Sequence, residues 1–216
     1  MPRVQREPSP VNRFARRRHR NRQALLDAAI DLFQQRGIRG AKIEDICERA
    51  DVAPRTFFNH FETREHLYQG IAQQRAAQFA VLFDATAAER RPLGERLPEL
   101  LGQIADYLEE RPLYRELVGE MLHVRAEGGS EVVRTGLLGL AAQRFVASGV
   151  ARGEIRANVR PEVLADLLLG ALTTALGNWS AQPAYDLRRE LREAGQALLL
   201  LFSPRVGGRP TRKEIP

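Results

Sequence analysis

Arginine side chains dominate the first 22 residues, where eight of them stand with a single glutamate and give this segment a net charge of +7. The remaining 194 residues carry 25 basic and 26 acidic side chains, so the positive charge of the whole chain, +6, belongs to its N-terminus. Guanidinium groups at this density form ionic contacts with phosphates, the electrostatic basis of nucleic-acid binding. A solvated tail without a partner is the alternative interpretation.

A later segment, residues 42–67, predicts two short helices joined by a tight turn and followed at once by the start of a third. The first is predicted from Ile43 to Ala50. The second runs from Pro54 to Phe61, since a proline in the first turn loses no helical hydrogen bond. Thr63 is placed to cap the next helix, which continues to about Ala88. This order is the layout of a helix-turn-helix, whose second helix enters the major groove of DNA.

Helices also account for the rest of the chain. Arg20 to Gly37 forms an amphipathic helix, with Leu25, Ala29, Leu32 and Phe33 on one face of a 3.6-residue period. Further helices are predicted near residues 93–110, 113–126, 130–149, 161–179 and 185–202. No segment shows the alternating pattern of a strand, so the predicted fold class is all-α.

The last two predicted helices carry apolar stripes. In the final helix, leucine and alanine recur at spacings of 4, 3, 4 and 3, as in a coiled coil. Two such hairpins, related by a two-fold axis, would form a four-helix dimer interface, and a two-fold DNA site needs two recognition helices. The leucines predicted at this interface are Leu164, Leu168, Leu187, Leu191, Leu198 and Leu201. The alternative is that the same side chains fill the core of one chain.

Composition excludes several classes of protein. Hydrophobic residues make up 44% and charged residues 28%, as in soluble globular proteins. The single cysteine, Cys47, leaves no internal disulfide and no Cys-based zinc site, and we expect it to be buried and inert. No apolar run reaches the roughly 18 residues of a membrane span. No Gly-rich phosphate motif, zinc spacing or nucleophile–base pattern is present, so we expect no enzyme, cofactor or metal.

From Arg22 to Leu67 the chain resembles the TetR family of bacterial transcription regulators. The resemblance rests on three fragments: Ala28 to Phe33, Ile46 to Ala50, and Val52 to Phe61 followed by Arg64 to Leu67. Its most specific part is the pattern Thr-aromatic-aromatic-x-His-Phe, which spans residues 56–61. A weaker similarity is the Arg152-Gly153-Glu154-Ile155 turn.

The resemblance implies an N-terminal three-helix helix-turn-helix DNA-binding domain at residues 20–67. A C-terminal helical ligand-binding and dimerisation domain would follow at 68–204. We expect a disordered basic arm at 1–19, a flexible tail at 205–216, and a cytoplasmic protein associated with the bacterial nucleoid. The implied DNA-binding residues are Lys42, Glu44, Pro54, Arg55, Thr56, Phe58, Asn59, His60 and Arg64, to which the arm adds Arg16, Arg17, Arg18 and Arg20.

Within this implied set, individual roles can be predicted. Arg55 is the candidate for a bidentate guanine contact, worth about 1–3 kcal/mol of base discrimination, although a phosphate contact alone is possible. Thr56 would meet a phosphate or a thymine methyl group. His60 and Arg64 are expected to position the protein rather than to specify bases, with packing as the alternative role for His60. Arg64 stands where the family usually has a phosphate-binding lysine.

Three residues depart from the family pattern. Asp51 replaces the usual glycine of the turn, which aspartate tolerates better than most residues. Ala53 replaces a capping serine, at a cost of about 1 kcal/mol. Phe58 replaces a tyrosine and lacks its hydroxyl. Residues 42–67 also hold four basic and six acidic side chains, so we expect the basic arm to supply much of the affinity.

The family's effector pocket lies between helices of the C-terminal domain. The candidates here, each of which could instead be core, are Tyr107, Tyr114, Met121, His123, Arg125, Phe145, Asn178 and Trp179. Such a lining suits a small, largely apolar effector with a few polar groups. The leading hypothesis is a ligand-responsive repressor that binds a palindromic DNA operator as a homodimer. The alternative is a structural DNA-binding protein without an effector.

Overall fold

The computed structural model describes residues 10–125 and 136–204. Its helices are α1 (Pro10–Gly40), α2 (Ile43–Arg49), α3 (Pro54–Phe58), α4 (Arg64–Ala88), α5 (Leu93–Glu109), α6 (Leu113–Arg125), α7 (Leu137–Ala151), α8 (Pro161–Ala181) and α9 (Leu187–Phe202). Within these two ranges no residue is in a strand, which confirms the all-α prediction. Across the same residues, no helix is both long and apolar enough to span a membrane.

Helix α1 begins earlier than predicted. We expected residues 1–19 to be a disordered arm, but residues 10–19 form the first turns of α1. Arginine is a good helix former, and lengthening an existing helix adds one hydrogen bond for each residue fixed. Near its other end α1 is kinked at Gly37 (φ 72°), where the sequence predicted a stop. The tail at 205–216 and the predicted start of the 130–149 helix lie outside the described residues.

The described residues form two compact units. The N-terminal unit contains residues 10–74 and 112–124, and the C-terminal unit contains residues 75–111, 125 and 136–204. The prediction of one boundary near residue 68 did not anticipate that α6 folds with the N-terminal helices.

Helix α6 is tied to the end of α1 by two acidic side chains. Glu116 accepts a hydrogen bond from the Ile38 N–H at 3.3 Å, and the Glu120 carboxylate lies 3.9 Å from Arg39. On the other face of α6, Tyr114 is buried. This helix is therefore an integral part of the N-terminal unit.

The core of the N-terminal unit is formed by the predicted apolar face of α1 and by side chains from α2, from α3 and the turn after it, and from α4. Its fully or almost fully buried members include Leu25, Ala29, Leu32, Phe33, Ile46, Phe57, Phe61 and Leu67. Two ion pairs hold α2 against α1: Arg36 with Asp45 at 2.8 Å, and Arg49 with Asp31 at 3.2 Å. Cys47 is buried as predicted. Burial raises the pKa of its thiol, and the nearby negative charge of Glu44 raises it further.

A buried arginine organises the C-terminal unit. Arg96 on α5 has no exposed surface, and its guanidinium donates to the Thr86 carbonyl at 2.9 Å and to the Arg91 carbonyl at 2.5 Å. It also pairs with the Glu154 carboxylate at 2.6 Å, which Arg152 approaches at 2.8 Å. The end of α4, the start of α5 and the turn after α7 are therefore joined through one side chain.

The turn at residues 152–155 supplies the acidic partner of that arginine. Gly153 adopts φ 71°, in the left-handed region that glycine enters without steric cost. Ile155 is buried against Gly149, where an added Cβ would lie 2.5 Å from the Ile155 side chain. The similarity noted at this turn thus has a physical basis, because each of its last three residues has a distinct packing or pairing role.

The leucine seam of the last helix packs inside the chain and not in a dimer interface. Leu164, Leu168, Leu187, Leu191 and Leu198 are at most 5% exposed, so they have almost no surface to offer a second subunit. Helix α9 packs chiefly on α5, and a Cβ at Gly195 would lie 3.1 Å from Leu101. The predicted leucine period of α9 is confirmed, but the predicted partner, a second subunit, is wrong, because α5 of the same chain covers the seam. Of the six predicted interface leucines, Leu201 is exposed.

Candidate nucleic-acid interface

A tight turn joins α2 to α3. Asp51 has φ 53°, the left-handed conformation expected of a residue that replaces glycine there. Its N–H donates to the Glu48 carbonyl at 3.1 Å, and the Val52 N–H donates to the Cys47 carbonyl at 3.0 Å. These bonds satisfy the end of α2 and redirect the chain into α3, which confirms the predicted helix-turn-helix.

Helix α3 is anchored by its aromatic residues. Phe57 and Phe61 are buried, with ring centroids 5.6 Å apart, whereas Phe58 is 53% exposed. The helix ends at Phe58, three residues before the predicted end, and the N–H groups of His60 and Phe61 both donate to the Phe57 carbonyl. Ala53 forms no side-chain cap, as predicted. The rigid attachment through Phe57 and Phe61 fixes the direction in which the neighbouring polar side chains point.

Most of the predicted DNA-binding side chains lie on the surface. The exposed residues are Lys42, Glu44, Pro54, Arg55, Phe58 and Asn59, together with Arg16, Arg17, Arg18 and Arg20 on α1. Thr56 and His60 are half-buried. The exposed face of α3 therefore offers a cationic, an amide and an aromatic group for contact with a groove.

Arg64 has a different role from the one predicted. Its guanidinium donates to the carbonyls of Ala41 (2.7 Å) and Ile38, while its Nε donates to the Tyr68 hydroxyl at 2.6 Å. It also lies 5.5 Å from the centre of the Phe33 ring. A guanidinium engaged in this way joins α4 to the α1–α2 connection. We therefore correct the phosphate-contact prediction for Arg64 to a structural one.

Replacing Arg64 by alanine is expected to lower the free energy of unfolding by about 1.5–3 kcal/mol, the range for hydrogen bonds that involve a charged group. The carbonyls that lose their donor are partly buried, so water replaces it poorly. Thermal unfolding without DNA measures the effect, with the exposed Arg55→Ala variant as control. Unchanged stability combined with weaker DNA binding would restore the phosphate role.

His60 lies near two arginines of α1, Arg18 and Arg22, of which only Arg18 was among the predicted DNA-binding residues. Burial lowers the pKa of its imidazole, and the nearby charges of Arg18 and Arg22 lower it further. Arg22 was not predicted as a site residue, although it follows Arg18 by four positions on one helix face. These residues border a cleft of about 370 Å³ beside the recognition helix α3.

The predicted effector residues are not brought together within one unit. Tyr114 and Met121 belong to the N-terminal unit, whereas Tyr107, Phe145 and Trp179 belong to the C-terminal unit. Asn178 is exposed, whereas Phe145 and Trp179 are buried. The prediction assumed that α6 folds with the C-terminal helices. The side chains of His123 and Arg125 lie outside the described residues.

Comparison with known proteins identifies the N-terminal region. The model of the bacterial regulatory proteins of the tetR family matches residues 25–71, from within α1 to within α4. Residues 25–71 therefore carry the helix-turn-helix domain of the TetR family. Among curated proteins the chain is similar to the HTH-type transcriptional repressor DhaR of Mycobacterium sp. strain GP1, at 28% identity over 72% of this chain and 80% of that protein.

Solved TetR-like structures share the fold over most of both chains. The TetR-family repressor FadR of Thermus thermophilus, in complex with lauroyl-CoA, superposes with a TM-score of 0.69 at 22% identity, covering 88% of this chain and 98% of that one. RolR in complex with resorcinol gives a TM-score of 0.67 at 20% identity, covering 88% and 91%. The TetR fold therefore extends through both units.

Proposed function

We propose that this chain is a ligand-responsive transcriptional repressor that binds a palindromic operator as a homodimer in the bacterial cytoplasm, at the nucleoid. One observation carries the proposal. Helix α3 and the residue that follows it place Arg55, Phe58 and Asn59 on the surface, while Phe57 and Phe61 fix the helix in the core. A short helix fixed in this way presents its outer side chains to base edges in the major groove.

The effector is proposed to be small and largely apolar. RolR was solved with resorcinol and the Thermus FadR with lauroyl-CoA, and DhaR is by name a repressor, so a protein without an effector is less well supported. Of the predicted lining residues, Tyr107 is the one we assign to ligand contact. Its hydroxyl accepts from Arg75 at 2.6 Å and its ring packs edge-on against Phe79, so it joins polar and apolar groups.

The homodimer is proposed to form through exposed apolar residues of α8 and α9. Val163 and Leu167 on α8 are 36% and 47% exposed, and Leu200 and Leu201 on α9 are 81% and 51% exposed. Exposed apolar side chains favour association, because burying them removes apolar area from water. A two-fold pair of subunits would present two copies of α3, as a palindromic operator requires.

Gel shifts on the DNA upstream of the chain's own gene test this function against random DNA of equal length. We expect tighter binding to the upstream DNA, and Arg55→Ala should relax preference at one base position per half-site by about 1–3 kcal/mol. Equal affinity for both DNAs would contradict the repressor function. Uniform weakening across all sequences would reassign Arg55 to phosphate contact.

A further inference from the structure

A cleft between α1 and α4, next to the C-terminal end of α3, combines several groups that bind anions. Arg18 and Arg22 line it from α1, His60 lines it from the end of α3, and Gln69 and Gln73 line it from α4. Its volume of about 370 Å³ far exceeds that of a phosphate group, so the group could enter with part of its hydration.

The two arginines of this cleft differ from three other arginines of the N-terminal unit, which are engaged within the chain. Arg36 and Arg49 are neutralised by carboxylates, and Arg64 is engaged by carbonyl oxygens. Within residues 13–121 and 136–204, no carboxylate lies within ion-pair distance of Arg18 or Arg22. Their charges therefore remain available to an anion from outside the chain.

Arg22 is held in position by the surrounding structure. Its guanidinium carbon lies 5.1 Å from the centre of the Phe61 ring, which is itself buried. Gly70 allows this approach, because a Cβ there would lie 2.9 Å from Phe61 and 3.2 Å from the Arg22 guanidinium. A long side chain ordered in this way loses less conformational entropy on binding than a free one.

We propose that this cleft binds a single backbone phosphodiester of duplex DNA, held between Arg18 and Arg22 with the His60 ring and the two glutamine amides around it. The proposal rests on the proposed function, because the DNA would reach the cleft only when α3 lies in the neighbouring groove. The contact is independent of base sequence and sets the register of α3 on the DNA. Part of the basic N-terminus thus acts as a defined phosphate site.

The test compares two arginines of one helix. Arg18→Ala removes a charge that lines the cleft, and Arg20→Ala removes an equal charge from a position 200° around the helix that does not line it. For Arg18→Ala we expect the slope of log affinity against log salt to fall by about 0.9, with affinity about fivefold lower at 0.15 M salt. Arg20→Ala should lower both clearly less, because its charge contributes only to the diffuse attraction between the basic helix and DNA. Equal effects of the two variants would overturn the proposal in favour of diffuse attraction.

A second measurement follows the His60 ring by NMR. The groups that face it are Arg18 and Arg22 from α1, Glu62 from the α3–α4 turn and His66 from α4. Bound phosphate offsets the arginine charges, so the pKa of His60 should rise when DNA is added. If inorganic phosphate saturates the cleft below millimolar concentration while DNA leaves His60 unchanged, the site is one for a free anion and the proposal fails.

The same measurements on random DNA separate this proposal from the proposed function. If upstream DNA is not preferred but the slopes of the two variants still differ on random DNA, the repressor function fails and the phosphate site stands. If upstream DNA is preferred but the slopes agree, only the phosphate site fails.

Discussion

Replacement of Glu154 by alanine is expected to lower the free energy of unfolding of the C-terminal unit by about 3–5 kcal/mol, the cost of leaving a buried charge without its partner. The remaining charge is that of Arg96, which is fully buried and pairs with Glu154 at 2.6 Å. Arg152 would lose the same carboxylate. Thermal and urea unfolding of the variant measure the loss directly.

The matched control is an exposed ion pair of the same chemistry. Arg144 pairs with Asp84 at 2.7 Å, but both side chains are about half exposed, so Arg144→Ala should cost less than about 1 kcal/mol. If the two variants lose equal stability, burial of Arg96 is not what makes its pair important. If neither is affected, the network contributes nothing measurable.

Acid should remove the contribution of Glu154. Burial alone would raise the pKa of this carboxyl, but hydrogen bonds from Arg152 and Arg96 outweigh it and the pKa is lowered. The stabilisation is therefore present above the ordinary pKa of 4.5 and is lost as the pH falls through the lower pKa of the folded state. The difference in free energy of unfolding between the natural protein and Glu154→Ala should therefore become smaller as the pH falls below 4.5, as measured by urea unfolding at a series of pH values.

The second large effect is expected for the double substitution Leu167→Glu, Leu201→Glu, which places carboxylates on the proposed α8–α9 interface. Both leucines are about half exposed, so each subunit should fold while the dimer dissociates. Loss of paired binding should lower operator affinity roughly 100-fold or more, because the second half-site contact is no longer intramolecular. Light scattering gives the mass and gel shifts give the affinity.

Two further variants decide what such a result means. Val81→Glu adds a carboxylate at an exposed residue of α4, outside α8 and α9, and should leave the dimer intact. Leu198→Glu buries a charge and should unfold the chain, since Leu198 is 5% exposed. A double variant that remains dimeric would rule out this interface.

Local sequence patterns predicted where the helices form, but not which helices and side chains contact each other in the fold. The period of α1 and the proline at the start of α3 are each visible within a few consecutive turns of their own helix, so the sequence alone identified these elements. The leucine seam of α9 was equally visible, yet its period does not say which helix covers it, and that helix is α5. Arg96 and Glu154 are 58 positions apart, so no local signal joins them.

The same limit applied to the interface with DNA. The exposed residues of α3 followed from the motif, because buried Phe57 and Phe61 fix which face points outward. Arg64 was misassigned because its carbonyl partners, Ala41 and Ile38, lie more than 20 positions away. The four-residue spacing between Arg18 and Arg22 could have identified Arg22 from the sequence. Its proximity to Gly70 could not be predicted, because that contact joins α1 to α4.

The attachment of α6 affects how the protein can assemble during synthesis. The hydrogen bond between Ile38 and Glu116 spans 78 positions, so the N-terminal unit cannot be completed until α6 has left the ribosome. By then residues 75–111 of the other unit have already emerged. Because long loops must close before such distant contacts form, the unit does not follow the usual order in which the N-terminal part of a chain folds first. A chain ending at residue 74 would leave the Ile38 N–H without this acceptor.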